Sequence, residues 1–270
     1  MKQQKNLDKE PRATINPYLT AAEILFRRFL WDLHPYSWIS RKKIRTWANR
    51  FTGQKAIILC NGPSLNRIEF DELKKYQVFT FGLNKINLLF SKTEFRPSVI
   101  VAVNPHVIKQ NADFYNETVL PLFLDSNSKK WVRFRDNICF IHSANVRSGR
   151  FAKDCSISVN QGSTVTYVAM QLAFHMGFKN VALVGCDHSF ASKGPAHKTI
   201  LSDQQDSDHF DPNYFGRGLM WQLPDILGSE LHYEAAKNIF EMYGRKIVNC
   251  TVGGKLEIFD RQLLHEFINI

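Results

Sequence analysis

Asparagine follows three successive apolar runs: Asn61 within Cys60-Asn61-Gly62-Pro63-Ser64-Leu65, Asn84 after Val78–Gly82, and Asn104 after Val99–Val103. A side-chain amide both donates and accepts, so three of them lining one crevice suit a sugar, a ribose or a pyrimidine better than redox chemistry. Gly62 lets backbone N–H groups approach a phosphate, although the run is neither G-x-G-x-x-G nor a Walker loop, and a plain tight turn through Asn-Gly-Pro-Ser is equally consistent. Asn160-Gln161-Gly162-Ser163-Thr164 precedes a helical period. There Gly162, Ser163 and Thr164 would offer free N–H groups, hydroxyls and the positive end of a helix dipole to an anion, with Ser163 serving equally as an N-cap.

The elements that must position these residues are legible from Lys55 onward. Short apolar runs at 56–60, 78–81, 99–103, 120–124, 138–141, 181–185 and 246–249 alternate with helical periodicity, the pattern of a mainly parallel α/β sheet. The clearest helix spans 164–176, with Val165, Val168, Ala169, Leu172, Ala173 and Met176 on one face and Gly177 at its end. A second, about 230–243, ends at Gly244 and leads into the 246–249 strand. In such a sheet, ligands bind beyond the carboxyl ends of the strands, which is where the asparagines fall.

Residues 51–270 thus read as one Rossmann-like domain, and two segments stand apart from it. Residues 187–228 are rich in Asp, Ser, Gly, Pro and His without periodicity, and read as a lid over the site. Residues 1–50 hold eleven Lys/Arg against four acids and three of the five tryptophans, Trp31, Trp38 and Trp47. Leu25, Phe26, Phe29, Leu30 and Leu33 share one helical face there, which suits either packing on the main domain or an anionic membrane interface.

Composition narrows the classes. With 270 residues, 44% apolar and 22% charged, the chain can bury a core and is not disordered throughout. Five scattered cysteines without a C-x-x-C pair argue against a disulfide framework or a zinc ribbon and fit a reducing cytoplasm. No apolar run is long enough for a spanning helix or a signal peptide, and a basic tail without a recognition motif does not point to nucleic acid.

In order and spacing, the motifs over roughly residues 55–250 resemble the bacterial sialyltransferases of glycosyltransferase family 42. They resemble equally the related flagellin glycosyltransferase and 6-hydroxymethylpterin diphosphokinase (MptE-like) group. Asn-Gly-Pro-Ser-Leu after the first strand, Asn-Pro after the third, Gly-Ser-Thr opening a helix, and Gly-Phe-Lys-Asn-Val-Ala-Leu-Val-Gly-Cys-Asp carry the likeness. It implies a GT-A-like Rossmann fold binding a CMP-activated sialic acid- or Kdo-like sugar, with no metal or other cofactor. Asn61, with Gly62, Pro63 and Ser64, would meet the phosphate or ribose, and Asn84 and Asn104 the donor sugar and cytidine. Gly162, Ser163 and Thr164 would meet the carboxylate or phosphate, while Asp187 would shape the nucleotide pocket.

The sequence departs from the sialyltransferases at the base, where their lid histidine is replaced by Gly228 or Ser229. His209, with Asp208 and Asp211 as orienting partners and Tyr214 and Phe215 as walls, is the first choice, and His188 the second. His232 is placed at the start of the last helix. Asp206-Ser207-Asp208 has the Asp-x-Asp form of a metal site, but it lies in a polar loop rather than at a strand end, and no metal is expected there.

The resulting expectation is a glycosyltransferase acting by direct displacement. Its partners would be a CMP-sugar, a glycan or glycolipid acceptor of cell-surface polysaccharide or lipopolysaccharide, and the inner face of the membrane through residues 1–50. Homo-oligomerisation stays open. The rival readings are a Mg²⁺-dependent pterin diphosphokinase using ATP and a non-catalytic nucleotide- or glycan-binding protein.

Overall fold

The computed structural model describes residues 16–144 and 150–269. Lys2, Lys5, Lys9 and Arg12 of the basic segment lie outside them. Seven parallel strands form the main sheet: β1 (Lys55–Leu59), β2 (Phe79–Leu83), β3 (Val99–Ala102), β4 (Leu122–Asp125), β5 (Ile138–Ile141), β8 (Asn180–Val184) and β11 (Lys246–Asn249). Between β5 and β8 lies the short parallel pair β6 (Ser143–Ala144) and β7 (Val159–Asn160). Between β8 and β11 lies an antiparallel ribbon of β9 (Thr199–Leu201) and β10 (Met220–Gln222). The sheet order is β11-β8-β1-β2-β3-β4-β5. The mostly parallel, helix-flanked, Rossmann-like sheet expected from the sequence is what the chain forms.

The chain grows outward from β1 in one direction through β2 to β5, and β8 then returns to the other side of β1. The gap between the ends of β1 and β8 is therefore the topological switch point, where such sheets open a crevice. All four residues of β3 are buried, as are four of five in β1 and β8, because helices cover both faces. One face packs under Tyr167, Leu172, Tyr233 and Phe240, the other under Leu65, Ile108, Tyr115 and Trp221.

In chain order the helices are α1 (Pro17–Asp32), α2 (Pro35–Trp47), α3 (Phe70–Tyr76), α4 (Pro105–Gln110), α5 (Ala112–Glu117), α6 (Val165–His175), α7 (Ile226–Met242) and α8 (Leu264–Asn269). α6 is buried along nearly its whole length, and Gly177 (φ 92°) ends it in the left-handed conformation expected of a terminal glycine. Its N-cap is Thr164, whose side chain accepts from the Thr166 amide, rather than Ser163. α7 begins at Ile226 behind an Asp225 cap, four residues earlier than the sequence suggests, so His232 lies inside the helix.

α1 and α2, which the sequence groups together, are packed differently. α2 lies along the edge strand: the buried Ser40 hydroxyl accepts the Phe140 amide at 3.0 Å, and Ser37 and Ile44 are buried beside it. An otherwise open sheet edge is thus covered, with the Phe140 amide satisfied. α1 has only Trp31 buried and meets the domain through its last turn.

Candidate functional site

The crevice at the switch point encloses about 370 Å³. Its floor is Asn61, Gly62, Asn84 and Asn104 after β1, β2 and β3, together with Gly185, Cys186 and Asp187 after β8. One wall is the entry to α6, through Gln161, Ser163, Thr164 and Thr166, and the roof is the 187–228 segment with His188, His197, His209 and Tyr214. Of the residues singled out in the sequence, Asn61, Gly62, Asn84, Asn104, Ser163, Thr164, Asp187, His188, His209 and Tyr214 line this one space. Pro63, Ser64 and Gly162 stand behind it.

Each of those three supports the lining. Pro63 and Ser64 start a 3₁₀ turn, from which the Ser64 hydroxyl donates to Asp187 at 2.7 Å and its amide at 3.2 Å. Asp187 is therefore a clamp between the loops after β1 and β8. Gly62 makes the clamp possible, since a Cβ there would lie 2.0 Å from Asp187 Oδ2. Gly162 (φ 54°) takes the left-handed turn under Tyr167, where a Cβ would lie 2.2 Å from the ring.

The three asparagines separate into two kinds. Asn104 caps α4, accepting from the His106 amide at 2.9 Å, and its amide donates to Gln222 at 3.2 Å, so its polar atoms are spent on the fold. Asn61 and Asn84 each keep a buried Oδ1 without a hydrogen-bond partner. The Tyr214 hydroxyl faces Asn84 but falls short of hydrogen-bond geometry and is equally unsatisfied. Buried polar atoms are rarely left unpaired, and here two amide oxygens and a hydroxyl are, all on residues that line the crevice. Burial pushes the Tyr214 phenol far up, so it remains a neutral donor.

The roof is docked rather than loose. Phe210 N–H donates to the Asn61 carbonyl at 2.9 Å, Asn66 donates to the Phe210 carbonyl at 2.8 Å, and Lys85 Nζ donates to the Tyr214 carbonyl at 2.6 Å. Lys92 pairs with Asp211 at 2.8 Å. His209 stacks on Tyr214 with ring centroids 4.1 Å apart and 1° between planes, with Phe215 and Trp221 meeting it edge-on.

Three crevice histidines each contact a carboxylate: His209 Nδ1 meets Asp206 at 2.8 Å, His188 Nε2 meets Glu230 at 2.9 Å, and His197 Nε2 meets Asp225 at 3.1 Å. The sequence offers Asp208 and Asp211 as partners of His209, and the structure gives Asp206 instead. Asp208 accepts the Ala191 and Ser192 amides, and Asp211 is taken by Lys92 and the Asn213 amide. Burial alone would raise the Asp206 carboxyl, but the hydrogen bond and charge of His209, with the amides of Asp208 and Phe215, outweigh it and hold it below the usual range. Ser163 (φ 62°) donates to Asp225 at 3.1 Å. Cys60 is not a nucleophile, because a hydrogen bond with Cys186 and full burial push its thiol up.

Among the residues missed in the sequence, Asp206 carries a signal in its spacing three residues before His209. Lys85, Gln222, Asp225 and Glu230 carry none: Gln222 and Asp225 line the crevice and Lys85 and Glu230 hold Tyr214 and His188 from behind, all from elements whose placement only the fold decides.

Among the described residues, no group of three or more His, Cys, Asp or Glu has the arrangement of a metal site. Residues 34–193 match the family described as 6-hydroxymethylpterin diphosphokinase MptE-like. The chain belongs to this MptE-like family. The match runs from α2 through the loop after β8 and so takes in the whole crevice floor. No curated protein matches the MptE-like chain. Its fold is similar to the solved structure of the MAf glycosyltransferase from Magnetospirillum magneticum AMB-1, with a TM-score of 0.50 and 16% identity over 85% of this chain and 39% of that one. At that identity the likeness is one of fold, and the MptE-like chain spans about two-fifths of that protein's length.

Proposed function

We propose that this MptE-like chain is a glycosyltransferase that moves a sialic acid- or Kdo-like sugar from a CMP-activated donor to a glycan hydroxyl, with His209 as base. The observation that carries the reading is the His209–Asp206 pair, whose imidazole lines the same crevice as Asn61 and Asn84, each with a side-chain oxygen that takes no hydrogen bond. Acceptor oxygens there suit the amino group of a cytosine and the hydroxyls of a ribose or sugar. Asp206 accepts from Nδ1 and fixes the tautomer that leaves Nε2 as the acceptor of a proton. The similar fold of a glycosyltransferase agrees with this reading.

In the reaction, the acceptor hydroxyl gives its proton to Nε2 of His209 as its oxygen bonds to the anomeric carbon. The bond from that carbon to the phosphate oxygen breaks with its electron pair, and CMP leaves. Asp206 stabilises the imidazolium, as the carboxylate of a His–Asp pair does. The Thr164 hydroxyl and the positive end of α6 would meet the phosphate as its charge develops.

The family description favours a second reading, transfer of diphosphate from ATP to a pterin. The test is release of CMP from a CMP-sugar in the presence of a glycan acceptor. His209→Ala should lower turnover by about 100- to 10,000-fold while CMP affinity is kept. Near-normal turnover, with activity lost instead in His188→Ala, would move the base to His188.

A further inference from the structure

We propose that α1 and the outer face of α2 form a docking surface for an anionic lipid bilayer. On α1, Leu19, Ala22, Phe26, Phe29, Leu30 and Leu33 fall on one arc, with Glu23 and Arg27 along its flank and Thr20, Ile24 and the buried Trp31 on the far side. Phe26 is 62% exposed and Phe29 58%, so the core-like face of this helix packs on nothing in the described chain. A helix of 16 residues is marginal in water on its own. Its apolar side therefore calls for a cover.

The chemistry beside it selects the cover. α2 turns Ser37, Ser40 and Ile44 inward and Trp38, Lys42 and Arg45 outward, at spacings that align them on one exposed face. Trp38, 63% exposed, joins the two helices by donating from its indole N–H to the Asp32 carbonyl at 2.7 Å. An apolar arc joined through an interfacial tryptophan to a face carrying Lys42 and Arg45 complements an anionic lipid surface, which takes the ring at headgroup depth and the charges at the phosphates. A second copy of the chain would bring the same cations face to face. No helix among the described residues is long and apolar enough to cross a membrane, so the arm would lie on the bilayer.

Placement gives the surface a purpose. Ser40 meets Phe140 and Lys43 meets Asp136, so α2 runs antiparallel to β5, and α1 joins the domain at the carboxyl end of that strand. The crevice opens at the same end of the sheet. From there Arg28 donates to the Ile157 carbonyl at 2.6 Å, just before β7, and Gln161 just after it lines the crevice. Docking would hold the crevice near the lipid surface, within reach of a lipid-linked substrate, whichever transfer it performs.

The experiment is co-sedimentation of the full chain with vesicles of phosphatidylcholine, with and without phosphatidylglycerol, read together with tryptophan emission. Binding should be stronger with phosphatidylglycerol and fall with added salt, and the emission should shift to the blue through Trp38. Lys42→Gln/Arg45→Gln should weaken binding to the anionic vesicles by about 25-fold, roughly fivefold for each charge. Phe26→Ser/Phe29→Ser/Leu30→Ser should remove binding to both vesicles without changing the Tm of the domain. Equal binding by the charge variant would overturn the proposal. So would absence of vesicle binding, whether the chain is monomeric or forms a dimer that the triple variant dissociates.

Discussion

Asp206 and His209 lie three residues apart and share a 2.8 Å hydrogen bond through Nδ1, while Tyr214 holds the imidazole flat against its own ring. The pair is therefore oriented before any ligand arrives, on a ring that lines the crevice.

Asp206→Asn tests that relationship. The amide keeps the shape but no longer favours the Nδ1–H tautomer or stabilises an imidazolium. Turnover should fall by 100-fold or more, close to the loss in His209→Ala, with CMP affinity unchanged. Steady-state kinetics with direct CMP titration would show it. A loss confined to KM would mean that the pair binds acceptor instead.

Lys85 fastens the roof from beneath, donating to Gln110 at 2.8 Å and the Tyr214 carbonyl at 2.6 Å. Burial lowers its ammonium to about 8 against the opposing pull of Asp206. The unfolded chain holds this proton up to about 10.4, so between those values it binds more protons at this site and stability from Lys85 rises with pH. Buried cysteines and tyrosines act in the opposite direction, so the effect is read as a difference. From pH 8 to 10, denaturant unfolding should show the wild type gaining on Lys85→Met. A constant difference would show that Lys85 does not titrate there.

Gly62→Ala tests the clamp between β1 and β8. Gly62 has φ −72°, so alanine meets no backbone strain, only the Asp187 carboxylate and the Gly185 carbonyl. The added methyl should cost about 1–3 kcal/mol by denaturant unfolding and weaken nucleotide binding by moving Asn61. Wild-type stability would show that the Ser64–Asp187 contact has room to shift.

The sheet was legible because interior parallel strands are apolar on both faces, and several of the seven short runs between Ala56 and Asn249 are of that kind. The crevice was legible to the extent that its floor consists of strand ends, which sequence order locates. Contacts across the roof were not, since nothing in the spacing of Glu230 or Lys85 says which histidine or carbonyl it will meet. Asn104 shows the opposite limit: the same residue type at the same kind of strand end became a helix cap. For α1 and α2, both rich in aromatic residues but the first balanced in charge and the second purely basic, burial was decided by Ser40 meeting the β5 edge, a contact between residues 100 positions apart.

The central claim is that the crevice holds a CMP-activated sugar. A thermal-shift panel of CMP, CDP, UDP, GDP and ATP, each with and without Mg²⁺, tests it most directly, because a ligand at 100 times its Kd stabilises the folded state by about 2.7 kcal/mol. CMP should raise Tm without metal, and Asn61→Ala or Asn84→Ala should diminish the shift. Stabilisation by ATP with Mg²⁺ alone, and none by CMP, would contradict the account and assign the crevice to diphosphate transfer.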